Sequence, residues 1–106
     1  MGELISLPKP NDDPLTLEEW VEKAHKIAQK SENVFFDCPH ARLRMRERNV
    51  SIRQIFDVLR NGKGIDGSTL DKYGDWRIKL KRFSAGRSVQ VVVVIKTDYL
   101  EVVTVI

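Results

Sequence analysis

From Thr16 onward, apolar residues recur at three- and four-residue intervals: Leu17, Trp20, Val21, Ala24, Ile27 and Ala28 form one stripe between charged positions. That spacing predicts an amphipathic helix running from Thr16 to about Gln29. Glu18, Glu19 and Glu22 favour its positive N-terminal end, and Lys26 and Lys30 its negative C-terminal end. Asn33 to Phe36 is short and rich in Val and Phe, which suits either a brief strand or a buried link. Asp37 or Cys38 then caps a second helix with Pro39 in its first turn, carrying His40, Ala41, Arg44, Met45 and Arg48 before Asn49 ends it. Ser51-Ile52-Arg53-Gln54 is a capping box. It opens a third helix whose Ile52, Ile55, Phe56 and Leu59 make an apolar stripe stopped by Asn61-Gly62.

After Gly64 the period changes to two. Trp76, Ile78 and Leu80 alternate with Arg77, Lys79 and Lys81, Val89 to Lys96 is almost wholly apolar, and Tyr99 to Ile106 forms a further strand. Ser84 to Arg87 and Lys96 to Asp98 are short enough to be hairpin connections, and Ile65 to Leu70 is a weaker edge strand. Helices followed by a meander predict an α+β domain, with N-terminal helices packed on one face of a C-terminal antiparallel sheet of three to four strands. Residues 1–14, with three prolines and Asn11-Asp12-Asp13, read as an irregular lead-in to a single domain over residues 15–106.

Composition narrows the setting. The longest apolar run, Val91 to Ile95, falls far short of the ~20 residues needed to span a bilayer, so no membrane partner is expected. Cys38 is the single cysteine, which rules out an intramolecular disulfide and suits a reducing, cytoplasmic location. The net charge of +3 is unevenly spread. Residues 1–39 hold four Lys and eight acidic residues, whereas residues 40–106 hold fourteen Lys or Arg and seven acids. A localised positive charge of this kind points to a polyanionic partner, nucleic acid or an acidic protein.

Two constellations carry candidate chemistry. His40, Arg44, Glu47 and Arg48 lie at offsets of four, seven and eight, which places them on one helix face. His40 is a candidate general acid or base, and Arg44 and Arg48 offer forked donors to a phosphate. A solvated charged face, with Glu47 paired to an arginine, accounts for the same residues. On the strand, Arg77, Lys79 and Lys81 share one side along ~14 Å, a spacing able to follow a nucleic-acid backbone. Cationic protection of an exposed sheet face accounts for these equally. Arg42 and Tyr73 join Lys79 and Lys81 as candidate nucleic-acid contacts, Tyr73 through base stacking, whereas Trp76 reads as core. Cys38 and His40 lack enough companion ligands for a zinc site, so no metal and no cofactor is expected.

The run His40-Ala41-x-x-Arg44-Met45-x-x-Arg48-Asn49-Val50-Ser51, followed by Ile55, Val58, Leu59 and Asn61-Gly62, resembles the signature of the bacterial domain of unknown function numbered 4258, over roughly residues 36–106. The layout of an N-terminal helix, a helical pair and a C-terminal meander is similar to that of the MqsR-type toxins within the RelE-like ribonucleases of toxin-antitoxin modules. That likeness implies a RelE-like fold and metal-independent cleavage of RNA, with His40 transferring protons and Arg44, Arg48, Arg77 and Lys79 stabilising charge on the phosphate. It further implies RNA, including ribosome-bound mRNA, and a cognate antitoxin protein as partners. A noncatalytic nucleic-acid- or protein-binding domain on the same fold is the alternative.

Overall fold

The computed structural model describes residues 15–106, so the lead-in at residues 1–14 lies outside the described residues. Helix α1 spans Leu17–Ala28, and its first turn is closed by a reciprocal capping box between Thr16 and Glu19. A short 3-10 turn at Ser31–Asn33 leads into β1, Val34–Phe35. Helix α2 runs Pro39–Arg48, with Cys38 at its N-cap and Asn49 ending it in the left-handed conformation that asparagine tolerates. Helix α3, Ile52–Asn61, begins at the Ser51–Gln54 capping box and stops at Gly62. Strands β2 (Lys63–Leu70), β3 (Trp76–Ser84), β4 (Arg87–Ile95) and β5 (Leu100–Val105) complete the chain.

The sheet has five strands in the order β1-β5-β4-β3-β2, and it is mixed where three to four antiparallel strands were expected. Strands β2 to β5 form the antiparallel meander. The difference lies in β1, whose Val34 and Phe35 pair in parallel with Leu100 and Glu101. Two residues carry no alternation, and their partners lie more than sixty positions away, so local pattern held no trace of this pairing. The helices also depart from a single layer stacked on the sheet. Helix α1 contacts β2 and α3, α3 lies over β3 and β4, and α2 rests along β5.

One core joins these elements. Ile55, Val58 and Leu59 of α3 are fully buried with Ile78 and Leu80 of β3, Val91 and Val93 of β4, and Leu100 and Val102 of β5. Burying each large aliphatic side chain contributes about 1.5–3 kcal/mol. Trp20 and Ala24 of α1 and Ala41 of α2 belong to the same cluster. Trp76 packs against it too, with its ring centroid 5.7 Å from that of Trp20.

Helix α1 approaches β2 closely at Gly64, where a Cβ would lie 2.7 Å from Val21 Cγ2 and 2.9 Å from Leu17 Cδ1. Its C-terminal half is tied to α3 by two side chains. His25 Nε2–H donates to the Gly62 carbonyl at 2.7 Å, and Arg60 Nε–H donates to the Ala28 carbonyl at 2.7 Å.

Because Ile78 and Leu80 point into this core, the intervening Arg77, Lys79 and Lys81 project from the opposite side of β3. Val94, directly opposite Arg77, shares that second side, and it is buried without belonging to the core cluster.

Candidate nucleic-acid interface

Helix α2 presents His40, Arg44 and Arg48 along one side because Ala41 and Met45 turn inward. His40 is exposed in the first turn. Arg44 is half-buried, and its guanidinium lies 3.8 Å from Glu47, a loose pairing one turn along the helix. Arg48 is exposed, and its backbone carbonyl, with that of Asn49, accepts from the Arg87 guanidinium. Arg87 therefore caps the negative end of α2. Arg42 Nε–H donates to the Phe36 carbonyl at 2.7 Å, which ties that guanidinium to the chain entering α2. Cys38 likewise turns inward, its thiol donating to the Val103 carbonyl at 3.6 Å.

The strand cations differ sharply in their surroundings. Arg77 Nε–H meets Asp71 at 3.2 Å, and Lys79 Nζ meets Asp66 at 3.0 Å. Asp71 is itself held below the usual carboxylate range, first by the backbone N–H of Asp75, then by that of Tyr73 and by Arg77, against an opposing effect of partial burial. Its negative charge therefore persists beside Arg77 well into the acid range. Lys81 has no carboxylate partner among the described residues. Tyr73 stands at the tip of the β2–β3 hairpin, 75% exposed, with the Lys72 ammonium 5.2 Å from its ring centroid.

The structure thus gathers His40, Arg44 and Arg48 on α2, and Arg77, Lys79 and Lys81 on β3, without joining the two sets. Helix α2 rests on β5, and β4 separates β5 from β3 by roughly 10 Å, two strand spacings. Among the described residues no hydrogen bond or ion pair links the sets.

Lys81 instead belongs to a different group. Its directly opposed residue on β2 is Lys63. The two line a shallow pocket of about 500 Å³ with Asn61, Arg82, Phe83 and Ser88. Like charges facing each other across a ladder oppose folding, and neither lysine has a carboxylate partner among the described residues. Phe83 is 71% exposed beside them. Arg82, on the α3 side of β3, meets Asp57 of α3 at 2.9 Å. The Ser84 hydroxyl, Asn61 and Arg82 together hold the Asp57 carboxylate below its usual range, against partial burial.

Sequence reasoning did not select Lys63, Arg82 or Phe83, yet a signal was present. In the alternation Trp76-Ile78-Leu80 the next inward position is Arg82, and the next outward position is Phe83. The polarity inverts at that point. An inverted pair at a strand end marks a place where the core stops and an aromatic ring is left in water.

An α+β domain with an unbalanced cationic band at one end of its sheet is the class that these observations define. Among the described residues no helix is long and apolar enough to cross a membrane. A family model described as a domain of unknown function, DUF4258, matches residues 39–106, and the chain belongs to that family. The matched segment begins at α2 and includes the His40-Arg44-Arg48 face and the whole Lys63–Lys81 band. No curated protein matches the chain.

Proposed function

We propose that this domain binds RNA through the band of Lys63, Lys81 and Phe83, as a binding module with no catalytic step of its own. The observation that carries this reading is the pair of lysines directly opposed across β2 and β3 without a carboxylate between them, beside an exposed phenyl ring. A fold gains nothing from that arrangement, whereas a polyanion does: two ammonium groups neutralise phosphates, and a base stacks on the ring. Arg77 and Lys79 are already neutralised by aspartates, as Arg82 is by Asp57, so these three contribute less. The lining of the band contains no histidine, cysteine or carboxylate to move a proton.

Fluorescence anisotropy with an unpaired RNA oligonucleotide tests this directly. Binding is expected to weaken steeply with salt. Lys63→Ala and Lys81→Ala should each lower the slope of log K against log salt by about 0.7, the contribution of one phosphate contact on a single strand. Phe83→Ala should cost about 1–3 kcal/mol of binding with the slope unchanged. Binding indifferent to all three substitutions would remove the band from the interface.

A second reading, a RelE/MqsR-like endoribonuclease toxin held in check by an antitoxin protein, draws on α2. There His40 is exposed, with Arg44 and Arg48 one and two turns along the same side. Under that reading expression arrests growth, and His40→Ala or Arg44→Ala relieves the arrest while leaving the melting temperature in place. Arg77→Ala and Lys79→Ala leave cleavage intact, because both residues lie apart from α2. A folded wild-type chain that leaves RNA whole, with and without ribosomes, rules the toxin out.

A further inference from the structure

A larger groove runs along the outer side of α3 to the β3–β4 turn, with a volume of about 1100 Å³. Three arginines line it: Arg53 and Arg60 from α3, and Arg87 from the start of β4. Among the described residues none of the three meets a carboxylate. Two are nevertheless fixed in orientation. Arg60 uses its Nε–H on the Ala28 carbonyl and, among the described residues, makes no hydrogen bond through its terminal nitrogens, and Arg87 uses one terminal nitrogen on the last carbonyls of α2. Guanidinium groups held by neutral carbonyls keep their full charge and lose little further freedom on meeting an anion. The acid lining the groove, Asp57, is engaged by Arg82 and Asn61.

The groove differs from the Lys63–Lys81 band in one respect that bears on its ligand. Its lining holds one aromatic ring, Phe56, and the Arg60 guanidinium lies 4.7 Å from the centroid of that ring. Phe36 packs edge-on against Phe56 at 6.0 Å. Bases entering the groove would find nothing to stack on. Peptide side chains would find little apolar anchorage either, since Ile52 is the one large aliphatic residue of the lining. What the groove offers is oriented forks for phosphate oxygens. Asn61 lines both sites, and the Asp57–Arg82 ion pair stands at their junction, so a chain leaving one enters the other.

From these observations we infer that the α3 groove holds the phosphodiester backbone of a base-paired stem while the adjoining band holds the unpaired strand that continues from it. The preferred ligand is then a stem with a single-stranded extension. This inference rests on the RNA-binding reading above and specifies its substrate class.

Three RNA probes test it against the full chain: a blunt hairpin, an unpaired oligonucleotide, and the same hairpin carrying the unpaired sequence as a tail. The tailed hairpin is expected to bind at least about tenfold more tightly than either part, as two linked contacts on one ligand should. Arg53 is exposed and, among the described residues, makes no ion pair, so Arg53→Ala and Arg53→Glu should keep the wild-type melting temperature. Arg53→Glu should weaken the blunt hairpin about tenfold and leave the unpaired oligonucleotide within about twofold.

The inference is overturned if Arg53→Glu weakens both probes by one factor, or weakens neither. It is overturned too if poly-glutamate displaces the blunt hairpin as effectively as unlabelled hairpin does, which would make the groove a site for acidic peptide. Loss of unpaired-strand binding in the wild type would instead sink the RNA-binding reading itself. Unpaired binding that depends on Lys63 and Lys81, with no Arg53-dependent hairpin binding, would leave that reading standing and remove the groove alone.

Discussion

Gly62→Ala is expected to destabilise the domain by about 1–3 kcal/mol, although the change adds a single methyl group. An alanine Cβ at that position would lie 2.5 Å from the Val58 carbonyl oxygen and 3.1 Å from the Lys81 carbonyl oxygen. Both are backbone atoms, so the strain cannot be relieved by turning a side chain. One route of relief lengthens the Gly62 N–H to Val58 carbonyl bond, 2.7 Å in the native chain, and so frays the end of α3. The other pushes β2 away from β3 at the Lys63–Lys81 step. Either route disturbs the His25 bond to the Gly62 carbonyl that ties α1 to this corner.

Against a total stability of about 5–15 kcal/mol for a domain of this size, such a loss lowers the melting temperature by roughly 10 °C. Circular dichroism on heating measures it. An unchanged melting temperature would show that α3 enters β2 by another path. Because Gly62 sets the spacing between Lys63 and Lys81, the same variant should also bind unpaired RNA more weakly at temperatures where it remains folded.

The part of this corner that sequence pattern reveals is instructive. Ser51 and Gln54 announce the start of α3, Asn61-Gly62 its end, and the capping hydrogen bonds form as that pattern requires. Those signals are local, each decided within one helical turn. The alternation of Trp76, Ile78 and Leu80 with Arg77, Lys79 and Lys81 likewise fixes which side of β3 is buried. Pairing is different in kind. That Lys63 faces Lys81 depends on the register of a strand reached through a glycine and returning through a bulge between Ile65 and Thr69, and no short window contains it.

The same limit explains the candidate residues. Arg77, Lys79 and Lys81 look equivalent along the chain, yet Asp71 in the β2–β3 loop and Asp66 in the β2 bulge neutralise the first two and leave the third. The acidic groups that decide which cations stay unpaired arrive from elsewhere in the fold.

Reversing the charge at one of the opposed lysines should therefore move stability and binding in opposite directions. In Lys81→Glu, the like-charged pair across β2 and β3 becomes an attractive Lys–Glu pair at the same register position. Cross-strand charge pairs are worth about 0.2–1 kcal/mol in either sign, so exchanging repulsion for attraction should stabilise the domain by about 1 kcal/mol. The melting temperature should rise by roughly 4–8 °C. Binding of unpaired RNA should meanwhile fall by about tenfold or more, since a phosphate contact is lost and a negative charge is placed beside the strand.

The double variant Lys63→Glu/Lys81→Glu separates the two effects. It restores a like-charged pair, now acidic, so its stability should return towards that of the wild type while binding falls further. Lys79→Glu supplies the contrast one step along the strand. It sets an acid beside Asp66 where an ion pair stood, and it should lose stability with only a modest loss of affinity. Most surface substitutions change stability by less than about 0.5 kcal/mol, so a gain at Lys81 coupled to a loss of binding would identify a position where the sequence retains repulsion for the sake of a ligand. If Lys81→Glu destabilises the domain, or leaves RNA affinity intact, the opposed lysines are an ordinary solvated pair and the interface lies elsewhere.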